Sequence, residues 1–229
     1  MNCSKNTLHS VAAMARSPRR RLTRGDGFSL IEVLIAAALV LVILVAIYTV
    51  WFGLQRTYSF TDEDLAAQEQ ARAALNEMVA SIRTARQPSS PPSEDVNLVI
   101  VSAESNSLIC WTDIDHNPGT GLDGLELIRF RVNVPTRTLY RDTISTAPWD
   151  VTFASAEAVR LVSNWVSNNP AATPPTPLFT YRDGNGGSPS DVTQIREIVI
   201  DLRIDVYTDE APISHRLNSV VQPRNLRQY

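Results

Sequence analysis

Cysteine, histidine and lysine are scarce in this chain. Only Cys3 and Cys110 occur in 229 residues, so no disulfide framework holds the fold. In the topology read below they lie on opposite sides of a membrane and cannot pair. Cys110 reads as a small buried strand residue, not a reactive thiol. His9, His116 and His215 are scattered. They form no H-E-x-x-H and no Cys/His cluster, which leaves zinc without a ligand set. There is no G-x-S-x-G, no Walker A loop and no dinucleotide fingerprint. These absences argue against an enzyme.

Basic residues are also few outside one place. Residues 1–27 hold Lys5, the only lysine, with Arg16, Arg19, Arg20, Arg21 and Arg24, against Asp26 alone. Removing these from the totals of 21 basic and 24 acidic residues leaves 15 and 23, a net of −8 for the remainder. The basic part is a short leader, so no nucleic-acid partner is expected from charge. Charge then disappears: the 22 residues from Val33 to Leu54 carry none. That run is long enough to span a bilayer as a helix. The arginines before it place residues 1–27 in the cytoplasm and the rest outside.

One carboxylate, Glu32, stands at the head of the apolar run. An acid at the centre of a membrane helix costs roughly 2.5–3.5 kcal/mol, and less near the interface, so a retained charge there points to a partner. A cleavable secretory signal fits poorly: the apolar stretch is too long, Glu32 interrupts it, and no A-x-A site follows. A twin-arginine signal at residues 19–21 meets the same objections. A plain anchor leaves Glu32 unexplained.

The string Gly27-Phe28-Ser29-Leu30-Ile31-Glu32, followed by an uninterrupted apolar helix, resembles the processing site of type IV prepilins and type II secretion pseudopilins. The resemblance implies that a prepilin peptidase cuts after Gly27 on the cytoplasmic side and that Phe28 becomes the N-methylated N-terminus. It implies that Phe28 and Glu32 carry assembly, the new α-ammonium of one subunit meeting the carboxylate of a neighbour. It also implies partners: other pilins or pseudopilins through the N-terminal helix, an inner-membrane assembly platform, and membrane lipid. The location implied is the inner membrane, single-pass with the N-terminus cytoplasmic, and then a pilus or pseudopilus. The 27-residue leader is longer than the shortest in the family. No proline occurs from Phe28 to Gln87, which favours a minor pilin or pseudopilin over a major pilin. Two later segments, Pro177-Leu178-Phe179-Thr180-Tyr181-Arg182-Asp183-Gly184 and Gln222-Pro223-Arg224-Asn225-Leu226, resemble segments of W-type minor pilins and J-type minor pseudopilins. The alternative function is a monomeric, single-pass membrane-anchored binding protein with an extracytoplasmic β-domain.

The expected fold class is α+β and type IV pilin-like: a long N-terminal helix, half transmembrane and half amphipathic, packed on an antiparallel β-sheet domain. The expected segments are a leader at 1–27, a transmembrane helix at 28–54, an amphipathic continuation at 55–87, a Pro/Ser linker at 88–95 and a β-rich domain at 96–229. Thr61, followed by Asp62, Glu63 and Asp64, offers a fresh helix start. Ala71, Ala74, Leu75, Met78, Ile82 and Ala85 recur at three- and four-residue spacing as a core-facing stripe. Pro88, Pro91 and Pro92 end the helix.

Strands are expected at 97–103, 107–112, 125–134, 138–144, 159–166 and 178–181, with a hairpin turn at 133–137. Residues 195–206 alternate most clearly, with Ile198, Ile200, Leu202, Ile204 and Val206 on one face. The tail from 208 to 229 patterns weakly. Asp113, Asp115, Asn117 and Asp123 lie in one Gly-containing loop. Alternate oxygen-bearing side chains of this kind can hold calcium. Pro118 stands where the EF-hand glycine belongs, and no distant Glu follows in that register. The favoured reading is a solvated hairpin loop with no cofactor.

Overall fold

The computed structural model describes residues 27–96, 98–207 and 214–226. The leader through Asp26, with Cys3 and residues 19–21, lies outside them, as does Asn97 of the first expected strand. One helix, α1 (Leu30–Thr84), leads the described chain. The chain divides into two compact units, one ending at Gly53 and the other beginning at Leu54. Residues of α1 belong to both.

In the first unit α1 is uncovered. Every large apolar side chain from Phe28 to Leu54 is exposed. By length and composition this helix can cross a membrane. In the second unit the character of α1 changes. Ala67, Ala71, Ala74, Met78 and Ile82 are buried, and Ala85 beyond the helix end joins them. The expected stripe is therefore the core face, with Leu75 half-buried beside it.

Thr61 does not start a helix. Residues before it are already helical, so there is no orphan N–H for it to cap. Its hydroxyl instead donates back to the Thr57 carbonyl at 2.9 Å, the usual mid-helix outlet for threonine. The helix ends at Thr84, before Gln87. The Thr84 hydroxyl lies 3.0 Å from the Ala80 carbonyl and 2.9 Å from the Thr112 hydroxyl.

Two antiparallel sheets follow. The first has the order β1-β2-β3-β4-β5: β1 (Ile100–Ala103), β2 (Ser107–Thr112), β3 (Glu126–Asn133), β4 (Thr138–Ile144) and β5 (Glu157–Val162). The second has the order β6-β7-β8: β6 (Phe179–Arg182), β7 (Glu197–Ile204) and β8 (His215–Val221). The turn at 133–137 joins β3 to β4 as expected, closed by Arg137 N–H on the Val134 carbonyl at 3.2 Å. β7 alternates throughout, with Ile198, Ile200, Leu202 and Ile204 buried. β8 was not expected. It pairs in register along β7 and presents His215, Leu217, Ser219 and Val221 on its more buried side. A one-sided edge strand with a histidine and a serine on that side carries little apolar signal.

The helix face, both sheets and Leu178 share one core. Cys110 sits in it, and burial pushes its thiol up to about 12, so it is inert at neutral pH. Ile109, Trp111, Leu127 and Ile144 point to the opposite face of the first sheet. They pack with Phe153, Trp149 and Val96 in a second cluster. Val96 accepts the Trp111 indole N–H at 2.8 Å, which satisfies a buried donor.

Two polar knots tie these layers. Asn168 is buried. Its amide nitrogen reaches the Pro177 and Asp201 carbonyls at 3.2 and 2.7 Å, and its oxygen accepts the Arg203 N–H at 2.9 Å. It thus pins the Pro-rich loop to β7. Asp142 on β4 is 2% exposed and accepts from Arg129 at 2.6 Å and Arg131 at 2.6 Å on β3. Phe153 and Tyr140 lie under the two guanidiniums. Breaking a buried ion pair from one side strands the remaining charge. Asp142→Ala should therefore lower unfolding stability by about 3 kcal/mol, read by denaturant titration of the full chain in detergent. A loss within about 0.5 kcal/mol would show that the knot is dispensable.

Candidate functional site: the head of the apolar helix

The site is built from four residues before and within the first turn of α1. Ser29 occupies the N-cap position: its carbonyl accepts N–H groups from Glu32 at 2.9 Å and Val33 at 3.2 Å. Glu32 therefore sits at N3, and Ser29-Leu30-Ile31-Glu32 has capping-box spacing. An acid in the first turn also complements the positive end of the helix dipole. These local effects are worth about 0.3–1 kcal/mol each at an exposed site, less than the cost of carrying the charge into lipid. Local capping alone does not account for a carboxylate here.

Glu32 is exposed, and among the described residues its carboxylate makes no hydrogen bond or ion pair. Phe28 is 82% exposed. Gly27 is also open: a Cβ built there meets nothing within 4 Å, and its backbone is not in the left-handed region. Among the described residues nothing gives a steric or conformational reason for glycine at this position. A requirement for it must come from something that handles the chain from outside.

Residues 24–48 match the prokaryotic N-terminal methylation motif. The match spans the last residues of the leader, Gly27 through Glu32 and most of the uncharged run. It supports a type IV pilin-like prepilin. It implies processing by prepilin peptidase, assembly with other pilins and single-pass membrane anchoring. No curated protein matches the chain. The observed architecture, a long N-terminal helix packed against antiparallel sheets, is that of an α+β type IV pilin-like fold.

The acidic loop between β2 and β3 is arranged differently from its sequence reading. Asp113, Asp115 and Glu126 each bring a carboxylate oxygen within 4.8 Å of the others. Glu126 is the acid that the EF-hand register does not contain. It arrives by strand pairing, opposite Thr112, a signal legible only once the hairpin is assumed. Asn117 and Asp123 turn elsewhere. Asn117 Oδ1 accepts Gly119 N–H at 3.0 Å, and Asp123 Oδ2 accepts Ser89 N–H at 2.8 Å. The clustered oxygens are engaged by the loop itself. Asp113 accepts His116 N–H at 2.7 Å, Asp115 accepts the Thr120 hydroxyl at 2.6 Å, and Glu126 accepts Ile114 N–H at 3.0 Å. These are turn-stabilising bonds.

Their electrostatics oppose one another. The Thr120 hydroxyl and the Asn117 N–H hold the exposed Asp115 carboxyl below its ordinary value. Burial first, then the Asp115 and Asp113 charges, push Glu126 up, partly offset by the Ile114 N–H. A raised folded pKa means that the protonated form is favoured, so stability is full below the ordinary carboxylate range and falls as pH rises through the raised value. Glu126→Gln keeps an acceptor for Ile114 without the charge. Its stability relative to the parent should grow between about pH 4 and pH 7, measured as the difference in Tm of the full chain. A variant that instead loses Tm toward pH 7, with calcium raising the parent's Tm, would mean that a cation holds these carboxylates.

Proposed function

We propose that the chain is a minor pilin or pseudopilin, cut between Gly27 and Phe28, N-methylated on Phe28, and assembled into or priming a type IV pilus-like filament. Glu32 carries this reading: a carboxylate unpartnered among the described residues, in the first turn of an exposed apolar helix, four residues beyond Phe28. Cleavage converts the Phe28 peptide nitrogen into an ammonium. At about 4 Å the two charges attract by about 1 kcal/mol in water and about 4 kcal/mol at an effective dielectric of 20. The second figure is of the size needed to offset the cost of carrying Glu32 into the membrane. Extraction of the helix into a filament replaces lipid by neighbouring helices and brings the ammonium of one subunit to the carboxylate of the next. The segments 177–184 and 222–226 support the W-type or J-type assignment. The acidic balance of the mature chain disfavours nucleic acid as a partner.

Two substitutions separate processing from assembly. Gly27→Ala leaves the fold unstrained, since nothing crowds the added methyl, yet it should accumulate as the full-length precursor. Glu32→Ala should be cut normally but enter the sheared filament fraction about tenfold less or worse. Both are read by immunoblot of membrane and filament fractions. Normal incorporation of Glu32→Ala would refute the assembly role. A full-length wild-type chain resident in the membrane would instead favour the monomeric anchored binding protein.

A further inference from the structure

Arg83, in the last turn of α1, and Arg224 line a shallow pocket of about 330 Å³ with Val220 and Gln222. Both arginines are exposed, and among the described residues neither guanidinium makes a hydrogen bond or ion pair. Six arginines of this unit, Arg129, Arg131, Arg141, Arg182, Arg203 and Arg216, each hold a carboxylate; Arg83 and Arg224 do not, and they share one pocket. A cation near a helix C-terminus complements the dipole, which accounts for Arg83 but not for a second arginine across a pocket with a half-exposed valine. Two guanidiniums around one pocket form a carboxylate-binding geometry.

The same helix carries the complementary charge. Asp62, Ala66, Glu69, Ala73, Asn76, Ala80 and Arg83 recur at alternating four- and three-residue steps, and all are exposed. Acids stand at the start of this stripe and the base at its end. Arg72 lies beside the stripe, one turn from Glu69. Leu65 flanks it and is 52% exposed.

We infer that the Arg83–Arg224 pocket takes the Glu69 carboxylate of a second copy of this chain. The inference rests on the filament reading, because copies crossing one membrane the same way run parallel. Charge then selects the stagger. Unshifted parallel stripes oppose Asp62 to Asp62 and Glu69 to Glu69. A shift of one heptad opposes Asp62 to Glu69. A shift of two heptads, about 21 Å, opposes Glu69 to Arg83, Asp62 to Asn76 and Ala66 to Ala80. Among the seven stripe residues this is the first register that pairs opposite charges, and alanine against alanine lets the helices approach. The contact is heterologous, since each copy offers a pocket at one level and an acid at another, so it propagates and does not close into a dimer.

Disulfide trapping in native membranes tests it. Chains carrying Ala66→Cys and Ala80→Cys, co-expressed, should cross-link, while Ala73→Cys should not cross-link to itself. Arg83→Glu with Arg224→Glu in the Ala80→Cys chain should cut the 66–80 product about fivefold or more. Glu69→Arg in the Ala66→Cys chain should restore it. An unshifted 73–73 product, a 66–80 product indifferent to the charge reversal, or cross-linking only to a different subunit would each overturn the inference. The N-terminus is sequenced in the same samples. Processing at Phe28 without the 66–80 product sinks this contact alone, whereas an uncut leader sinks the filament reading.

Discussion

Glu32 stands in the first turn of a helix whose residues from Val33 to Leu54 carry no charge, and its carboxylate has no partner among the described residues. Among the described residues nothing covers that helix end, so its large apolar side chains require lipid or other helices around them. In such surroundings a lone carboxylate is costly, and the charge that relieves it is absent from the uncut chain at this position. In the proposed reading, cleavage after Gly27 makes that charge. On that reading the same event would release the leader and complete the electrostatics of assembly.

The second unit is built to stand by other means. Its helix segment turns a narrow alanine-rich face to two sheets, and the core is closed by strand pairing, Asn168 and the Asp142 knot. These interactions are internally satisfied. What they leave outward is a stripe with acids at one end and a base at the other. The apolar end of α1 supplies the drive to associate, and the charged stripe supplies a reason for one axial register over others.

Much of this was legible from residue order. The helix face at 71–85, the strands at 107–112 and 138–144, the turn at 133–137 and the alternation in β7 each follow from a period that one buried face imposes. The junction stands out in the sequence because its motif is local: Gly27, Phe28 and Glu32 lie within six residues, inside the matched methylation motif. Other features depended on partners distant in sequence. Thr61 looks like a cap only if the chain before it is not helical. Glu126 joins Asp113 and Asp115 through a hairpin. β8 is an edge strand whose His215 is held by Asp64, 2.8 Å away across the helix boundary, so its inward face need not be apolar. Arg83 and Arg224 are far apart in sequence and meet only in the fold.

The central claim is that cleavage creates the ammonium that Glu32 requires. Mass spectrometry of the N-terminal peptide of the wild-type chain, taken from native membranes, tests it most directly. The account predicts a peptide that begins at Phe28 and carries one methyl group on its α-nitrogen. A peptide that retains Gly27 and the arginines before it, or begins elsewhere in the helix, would contradict it.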